Sequence, residues 1–259
     1  MRQSHVDRKT EVRDHFDAYA VNNRWGELYD PSNPLSHGFL ARRAKTVVLL
    51  GPLQGKLLDV GCGTGSLLEI LDSKVDYVGV DNAPTMIEQA ARHINDLGLS
   101  ARARVQQADV QALPFESNSF DAVVGLGLIE YFDDPRKVVA EAFRVAKPGA
   151  RLVFNVPLRY SIDRVLVMLS TPIRAIARKL TGKAPDITHG LWTPRAFQEV
   201  FKSEGARVIG GAFYDKRLMI YPFSRFFPAA ASKAASLVEN RDAFDAFASG
   251  YLLACAKRT

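Results

Sequence analysis

From about residue 56 onward, short apolar runs alternate with stretches of helical periodicity. Lys56-Leu57-Leu58-Asp59-Val60 predicts a short buried strand, and Ser66 to Leu71 the start of a helix. Tyr77-Val78-Gly79-Val80 predicts a second strand. The next helix opens at Asn82-Ala83-Pro84, because proline is tolerated in a first helical turn. Met86, Ile87, Ala90, Ala91 and Ile94 then follow at helical spacing. Residues 104–108 read as a third strand and 120–124 as a fourth. A helix runs over 135–146 and stops at Lys147-Pro148-Gly149, and 151–156 make a fifth strand. This rhythm implies right-handed crossovers and a parallel sheet covered on both faces.

Three stretches fall outside the rhythm. Residues 1–50 look helical, with Phe16, Tyr19 and Ala20 on one face. Residues 158–192 occupy a place where a plain α/β unit needs only a loop. Residues 214–249 separate two late strands, 206–213 and 250–257. There is no internal repeat and no low-complexity linker. Residues 1–259 are therefore read as one domain: an N-terminal helical cap (1–50), a core (51–157), a cap insertion (158–192) and C-terminal strands (193–259) that carry the insertion 214–249. Within the cap, Ile162, Leu166, Leu169, Ile173, Ile176 and Leu180 form an amphipathic stripe broken at Pro172, with Thr171 capping a second helix.

Composition narrows the class. The 259 residues are 47% hydrophobic and 24% charged, so wholesale disorder and fibrous repeats are excluded. No uncharged apolar run approaches the roughly 20 residues of a membrane-spanning helix, and the first nine residues lack the apolar stretch of a secretory signal. Two cysteines, Cys62 and Cys255, are too few for a disulfide framework or a cysteine-built zinc site. A cytoplasmic setting without a bound metal is expected. The net charge of +6 permits anionic partners without requiring them.

The densest chemical signal is Asp59-Val60-Gly61-Cys62-Gly63-Thr64-Gly65-Ser66, a glycine loop between strand and helix. Glycines there let the backbone turn sharply and come close to a ligand. Ser66 stands where a dinucleotide fingerprint needs its third glycine, and no lysine follows as in a phosphate-binding P-loop. Asp81 ends the second strand 20 residues after Gly61, the place of a ribose-binding carboxylate.

Leu57 to Gly65 resembles the first motif of class I S-adenosylmethionine-dependent methyltransferases, of the small-molecule type 11 kind. Val78-Gly79-Val80-Asp81 resembles the second. Ala108 to Phe115 with Phe120-Asp121-Ala122-Val123 resembles the third, and Glu141 to Gly149 the helix and turn before the fifth strand. The resemblance is dense over 56–157 and looser over 194–257. It implies an α/β fold: a doubly wound, Rossmann-like seven-stranded sheet, ending in an antiparallel strand, with helical caps. It also implies S-adenosylmethionine as cofactor and S-adenosylhomocysteine as product. Asp59 with the backbone of Gly61 and Gly63 would cradle the amino-acid portion, which Leu126 would also contact. Asp81, with Asn82 beside it, would accept the ribose hydroxyls. Asp109 would face the adenine amino group, and the Val110 amide a ring nitrogen. Each Asp has an alternative as a helix-cap or turn carboxylate.

A sulfonium methyl is already activated, so alignment supplies much of the acceleration, and an oxygen nucleophile also needs a base. Tyr131 stands where the resemblance often has a histidine. It is a candidate catalytic residue that orients substrate, or else an aromatic wall. His189 is the second candidate, weighed against a solvated loop histidine. The Arg-rich stripe of 158–181 is either a cap on the sheet or a basic segment in peripheral contact with an anionic membrane. With the aromatic run 217–228 it favours a hydrophobic acceptor. No base-methylation motif follows the fourth strand, so the expected partner is a small molecule and not nucleic acid. The expected function is methyl transfer to a small hydrophobic metabolite, with O-methylation ahead of C- or N-methylation. The rival is a cofactor-binding partner subunit that has lost transfer.

Overall fold

The computed structural model describes residues 8–21, 24–162, 190–218 and 223–258. Five parallel strands form its centre: β1 (Gly55–Val60), β2 (Val75–Asp81), β3 (Ala103–Gln107), β4 (Phe120–Gly125) and β5 (Ala146–Pro157). With β6 (Ala206–Lys216) and β7 (Ala248–Lys257) they give the order β3-β2-β1-β4-β5-β7-β6, in which β7 is antiparallel to both its neighbours. The predicted doubly wound seven-stranded sheet is the one observed.

Side-chain alternation splits the core into two layers. Leu58, Val123, Leu152 and Phe154 pack with α5 (Arg136–Val145) and α6 (Pro194–Ser203) on one face. Leu57, Val124 and Val153 pack on the other, with Leu50 of α3 (His37–Leu50) and Ile94 of α4 (Pro84–Asp96). Continuous apolar runs are what a sheet buried on both faces requires. The N-terminal cap also holds α1 (Arg8–Val21) and α2 (Arg24–Glu27). Near its end α1 is tied to α4, where Asp17 accepts the Thr85 amide (2.9 Å) and Gln89 donates to the Ala20 carbonyl (2.7 Å).

Three boundaries differ from expectation. Residues Ser66–Ile70 form a single 3-10 turn and not a helix start. Gly65 enters it left-handed (φ 75°), Leu71 leaves it extended, and Arg43 takes the Ser66 carbonyl (2.8 Å) that a longer helix would use. At Lys147-Pro148-Gly149, β5 has already begun: Ala146 pairs with Phe120, and the register shifts before Arg151 pairs with Ala122. The late strands extend to Lys216 and from Ala248, which pair, so the insertion is narrower than 214–249. It contains α7 (Phe223–Phe226) and α8 (Pro228–Val238). Of the cap 158–192, Leu158 bridges to Trp192. The broken stripe from Leu166 to Leu180, Thr171, Pro172 and His189 lie outside the described residues.

Candidate functional site

A cavity of about 450 Å³ opens at the carboxyl ends of β1, β2 and β4, where the strand order reverses between β1 and β4. That is the usual ligand crevice of an open α/β sheet. Gly61, Gly63, Asp81, Asn82, Asp109, Val110 and Leu126 all line it, as does Tyr131. The structure thus brings together every predicted cofactor residue except Asp59.

The glycine loop folds over the end of β2, with the Gly61 and Cys62 amides donating to the Val80 carbonyl (2.8 and 3.0 Å). The Asp81 carboxylate accepts the Gly63 and Ala83 amides, both at 2.9 Å. Burial pushes the Asp81 carboxyl above its ordinary range, and these amides pull against that shift. Gly63 has φ 52°, and a Cβ there would sit 2.9 Å from the Trp25 indole nitrogen, so glycine is required twice over.

Asp109 lies in a different setting. One oxygen accepts the Gln111 amide (2.9 Å), and the other is paired with Lys9 of α1. Burial alone would raise this carboxyl, but Lys9 and the Gln111 amide outweigh it and hold it below the usual range. Asn82 accepts from Gln107 through its carbonyl (2.9 Å), and Val110 is buried at the cavity wall.

After β4, Leu126, Gly127 and Leu128 form the next wall. The Gly127 amide donates to Asn155 (2.7 Å), which in turn donates to the Tyr214 hydroxyl (2.8 Å). The Tyr131 ring meets Phe16 edge-on at 5.2 Å. Burial, reinforced by the neighbouring Glu130, pushes the Tyr131 phenol well above its ordinary range, with Arg42 acting in the opposite direction.

Asp59 stands apart from the other predicted cofactor residues. It is buried behind the glycine loop, accepts the Tyr77 hydroxyl (2.9 Å), and is not among the cavity-lining residues. Strand alternation explains this, because Asp59 shares the face of Leu57, where Tyr77 also packs. Burial pushes its carboxyl up to about 7, with Asp81 adding to the shift and Tyr77 and Arg42 opposing it. Cys62 is buried in packing.

Sequence reasoning missed the cover of the cavity. Arg8, Lys9, Val12, Arg13 and Phe16 of α1 line it, and so does Trp25 of α2. Arg8 donates to the Tyr131 carbonyl (3.1 Å) and lies 3.4 Å from Asp133. Val12 and Phe16, four residues apart, carried the signal, but a helical face does not say which surface it covers. Among the described residues no cluster of three metal-ligating side chains occurs.

A family model described as a methyltransferase domain matches residues 58–154. A ubiquinone biosynthesis O-methyltransferase of Paracidovorax citrulli is 34% identical over 170 residues, 64% of this chain and 68% of that protein. A phosphatidylethanolamine N-methyltransferase of Cereibacter sphaeroides is 31% identical over 111 residues, 43% of this chain and 55% of that one. The chain spans about half the length of several curated relatives it matches. Magnesium protoporphyrin IX methyltransferase from Synechocystis, solved with bound SAH, superposes with a TM-score of 0.63 at 15% identity, covering 97% of this chain and 100% of that one, a likeness of fold. Sequence motifs, sheet order and these relatives agree that the chain belongs to the class I S-adenosylmethionine-dependent methyltransferases.

Proposed function

We propose that the protein transfers a methyl group from S-adenosylmethionine to a small hydrophobic acceptor, with oxygen as the methylated atom. One observation carries this reading: glycine loop, two strand-end carboxylates and an aromatic wall converge on a single cavity of about 450 Å³. That volume is in the range of small-molecule sites. The residues suit the cofactor, because Gly61 and Gly63 allow close backbone approach while Asp81 and Asp109 present acceptors at separate strand ends. When bound, the cofactor supplies an activated methyl on a sulfonium.

The protein's part is binding, alignment and exclusion of water. Asp81 keeps lone pairs for ribose hydroxyls beyond its two amide bonds, and Asn82 lies beside it. Asp109 offers an acceptor to the adenine amino group, and the Val110 amide a donor to the ring. Phe16, Trp25, Tyr131 and Phe132 wall the acceptor side with apolar surface. The raised phenol keeps Tyr131 protonated at neutral pH, so it acts as a wall and donor, not as the base. The O-methyltransferase named above supports oxygen as acceptor.

Peripheral contact with an anionic membrane belongs to the same proposal. It is supported by the exposed Phe226 and Phe227 in the insertion between β6 and β7. Among the described residues no helix is long and apolar enough to cross a membrane. The test is transfer of labelled methyl to a panel of phenols, quinols, lipid-like alcohols and amines, beside vesicle co-sedimentation. Turnover with hydroxyl acceptors is expected. Turnover confined to amines overturns O-methylation, and cofactor binding without transfer to any acceptor favours the non-catalytic partner.

A further inference from the structure

The cover of the cavity carries more charge than an apolar acceptor requires. Arg8, Lys9 and Arg13 all line the cavity from α1, three cations within six residues. A helix laid over an apolar site ordinarily turns its cations to solvent. Here they share the cavity side of α1 with Val12 and Phe16. The acids paired with the two arginines face water instead. Asp133, 3.4 Å from Arg8, has an 86% exposed side chain, and Asp14, 2.7 Å from Arg13, a 60% exposed one. Such hydrated partners offset a charge only weakly. Asp134, the third acid of this rim, pairs with Arg136 (2.8 Å). Lys9 differs from both arginines, because its partner is Asp109 on the cavity floor.

That pairing must change when the cofactor site fills. Asp109 gives one oxygen to the Gln111 amide (2.9 Å) and the other to Lys9. The adenine amino group proposed for Asp109 competes for the second oxygen. An ammonium displaced from it stays on α1, next to Arg8 and one turn from Arg13. Filling the cofactor site therefore frees a cation at the cover. Arg8 marks where that cation is useful. It donates to the Tyr131 carbonyl (3.1 Å), beside the aromatic wall of Phe16, Tyr131 and Phe132. Rings suit an apolar body, and cations at their edge suit an anion attached to it.

We propose that the methyl acceptor is an aromatic acid, its carboxylate received by Arg8 and by the Lys9 ammonium that the cofactor displaces from Asp109. The assignment rests on the methyl-transfer reading of the cavity and makes Arg8 a specificity-determining residue. A carboxylate here exchanges hydrated pairs for charge-assisted hydrogen bonds inside the cavity, where they are stronger. Lys9 serves Asp109 in the free protein and the acceptor once the cofactor is bound. Cofactor and acid are then coupled, and each tightens the other by the same factor.

Calorimetry with 3,4-dihydroxybenzoate and catechol, one ring with and without the carboxylate, tests this. With S-adenosylhomocysteine bound, the wild type should prefer the acid by on the order of 10-fold. Without it the preference should fall severalfold. Arg8→Gln should remove most of the preference in both states, and Arg8→Lys should restore part of it. Lys9→Met should abolish the rise that S-adenosylhomocysteine causes. Each readout is a ratio of two probes on one protein, so general loss of stability does not imitate it, and the wild-type arms need no variant to fold. A wild type that binds the acid no more tightly than catechol, or binds neither, overturns the proposal. So does a preference that survives Arg8→Gln, or one that S-adenosylhomocysteine does not raise. Failure of the wild type to bind S-adenosylhomocysteine overturns the cofactor reading itself.

Discussion

The floor of the cavity and its cover are held by different kinds of bond. On the floor, Asp81 accepts two backbone amides, the glycine loop hangs from the Val80 carbonyl, and Gly127 is fixed by Asn155. These contacts are short, shielded and made largely by main chain. The cover is α1, held at its leading end by Lys9 on Asp109 and by Arg8 on an Asp133 whose side chain is 86% exposed. Solvent-exposed ion pairs of this kind contribute only about 0–1 kcal/mol each. Toward its far end α1 rests on aromatic edges and on α4. The floor is therefore held largely by main chain, whereas the leading turn of the cover is held by side chains: Lys9 on Asp109, and Arg8 on Asp133 and the Tyr131 carbonyl. Asp109 belongs to both, since the lysine that closes the cover occupies the acceptor proposed for adenine.

This contrast can be broken most forcefully at Asp81. Asp81→Ala removes an acceptor from ligand and loop together, and should cost S-adenosylhomocysteine binding about 1.5–3 kcal/mol. Calorimetry showing unchanged affinity removes Asp81 from the site. Asp59→Asn should act on stability through pH. The Asp59 carboxyl is at about 7 in the folded chain and at about 3.9 when unfolded. The folded state then holds the extra proton, so this contribution to stability is full below about pH 4 and is lost as pH rises through about 7. The asparagine keeps an acceptor for Tyr77 and cannot ionise, so its Tm should fall less steeply between pH 4 and 8. Parallel melting curves for the two proteins would count against an ionisable Asp59.

The cover should respond more gently. Phe16→Ala removes edge contacts to Trp25 and Tyr131, worth about 0.5–1.5 kcal/mol each. Stopped-flow measurements should show S-adenosylhomocysteine leaving severalfold faster, with no dependence on salt. Lys9→Ala should do the least, within about 1 kcal/mol, and its effect should appear as faster ligand entry at low salt that vanishes at high salt. Equal entry rates at every salt concentration would show that the lysine does not gate the site.

The difference between floor and cover also explains what was legible in the sequence. The floor is written in local signals: glycines that need left-handed backbone, carboxylates at strand ends, and apolar runs that set strand order. Arg8 and Lys9 act on partners about 100 or more positions away, and nothing near them in the chain marks the destination. For Asp59 the motif fixes the position along the strand, but the two-residue alternation decides the face.

The pairing of Lys216 with Ala248 has a consequence for how the chain can vary. The segment between them leaves and re-enters the sheet at adjacent positions, closed further by the Arg217 amide on the Phe247 carbonyl (3.0 Å). Its two ends are held at a fixed separation whatever lies between, and lengthening a flexible loop costs little in closure entropy. A related chain could therefore vary the exposed part of the segment around Phe226 and Phe227, but not Glu239, whose buried carboxylate accepts the Lys216 amide (3.1 Å) and pairs with His37 and Lys45 of α3.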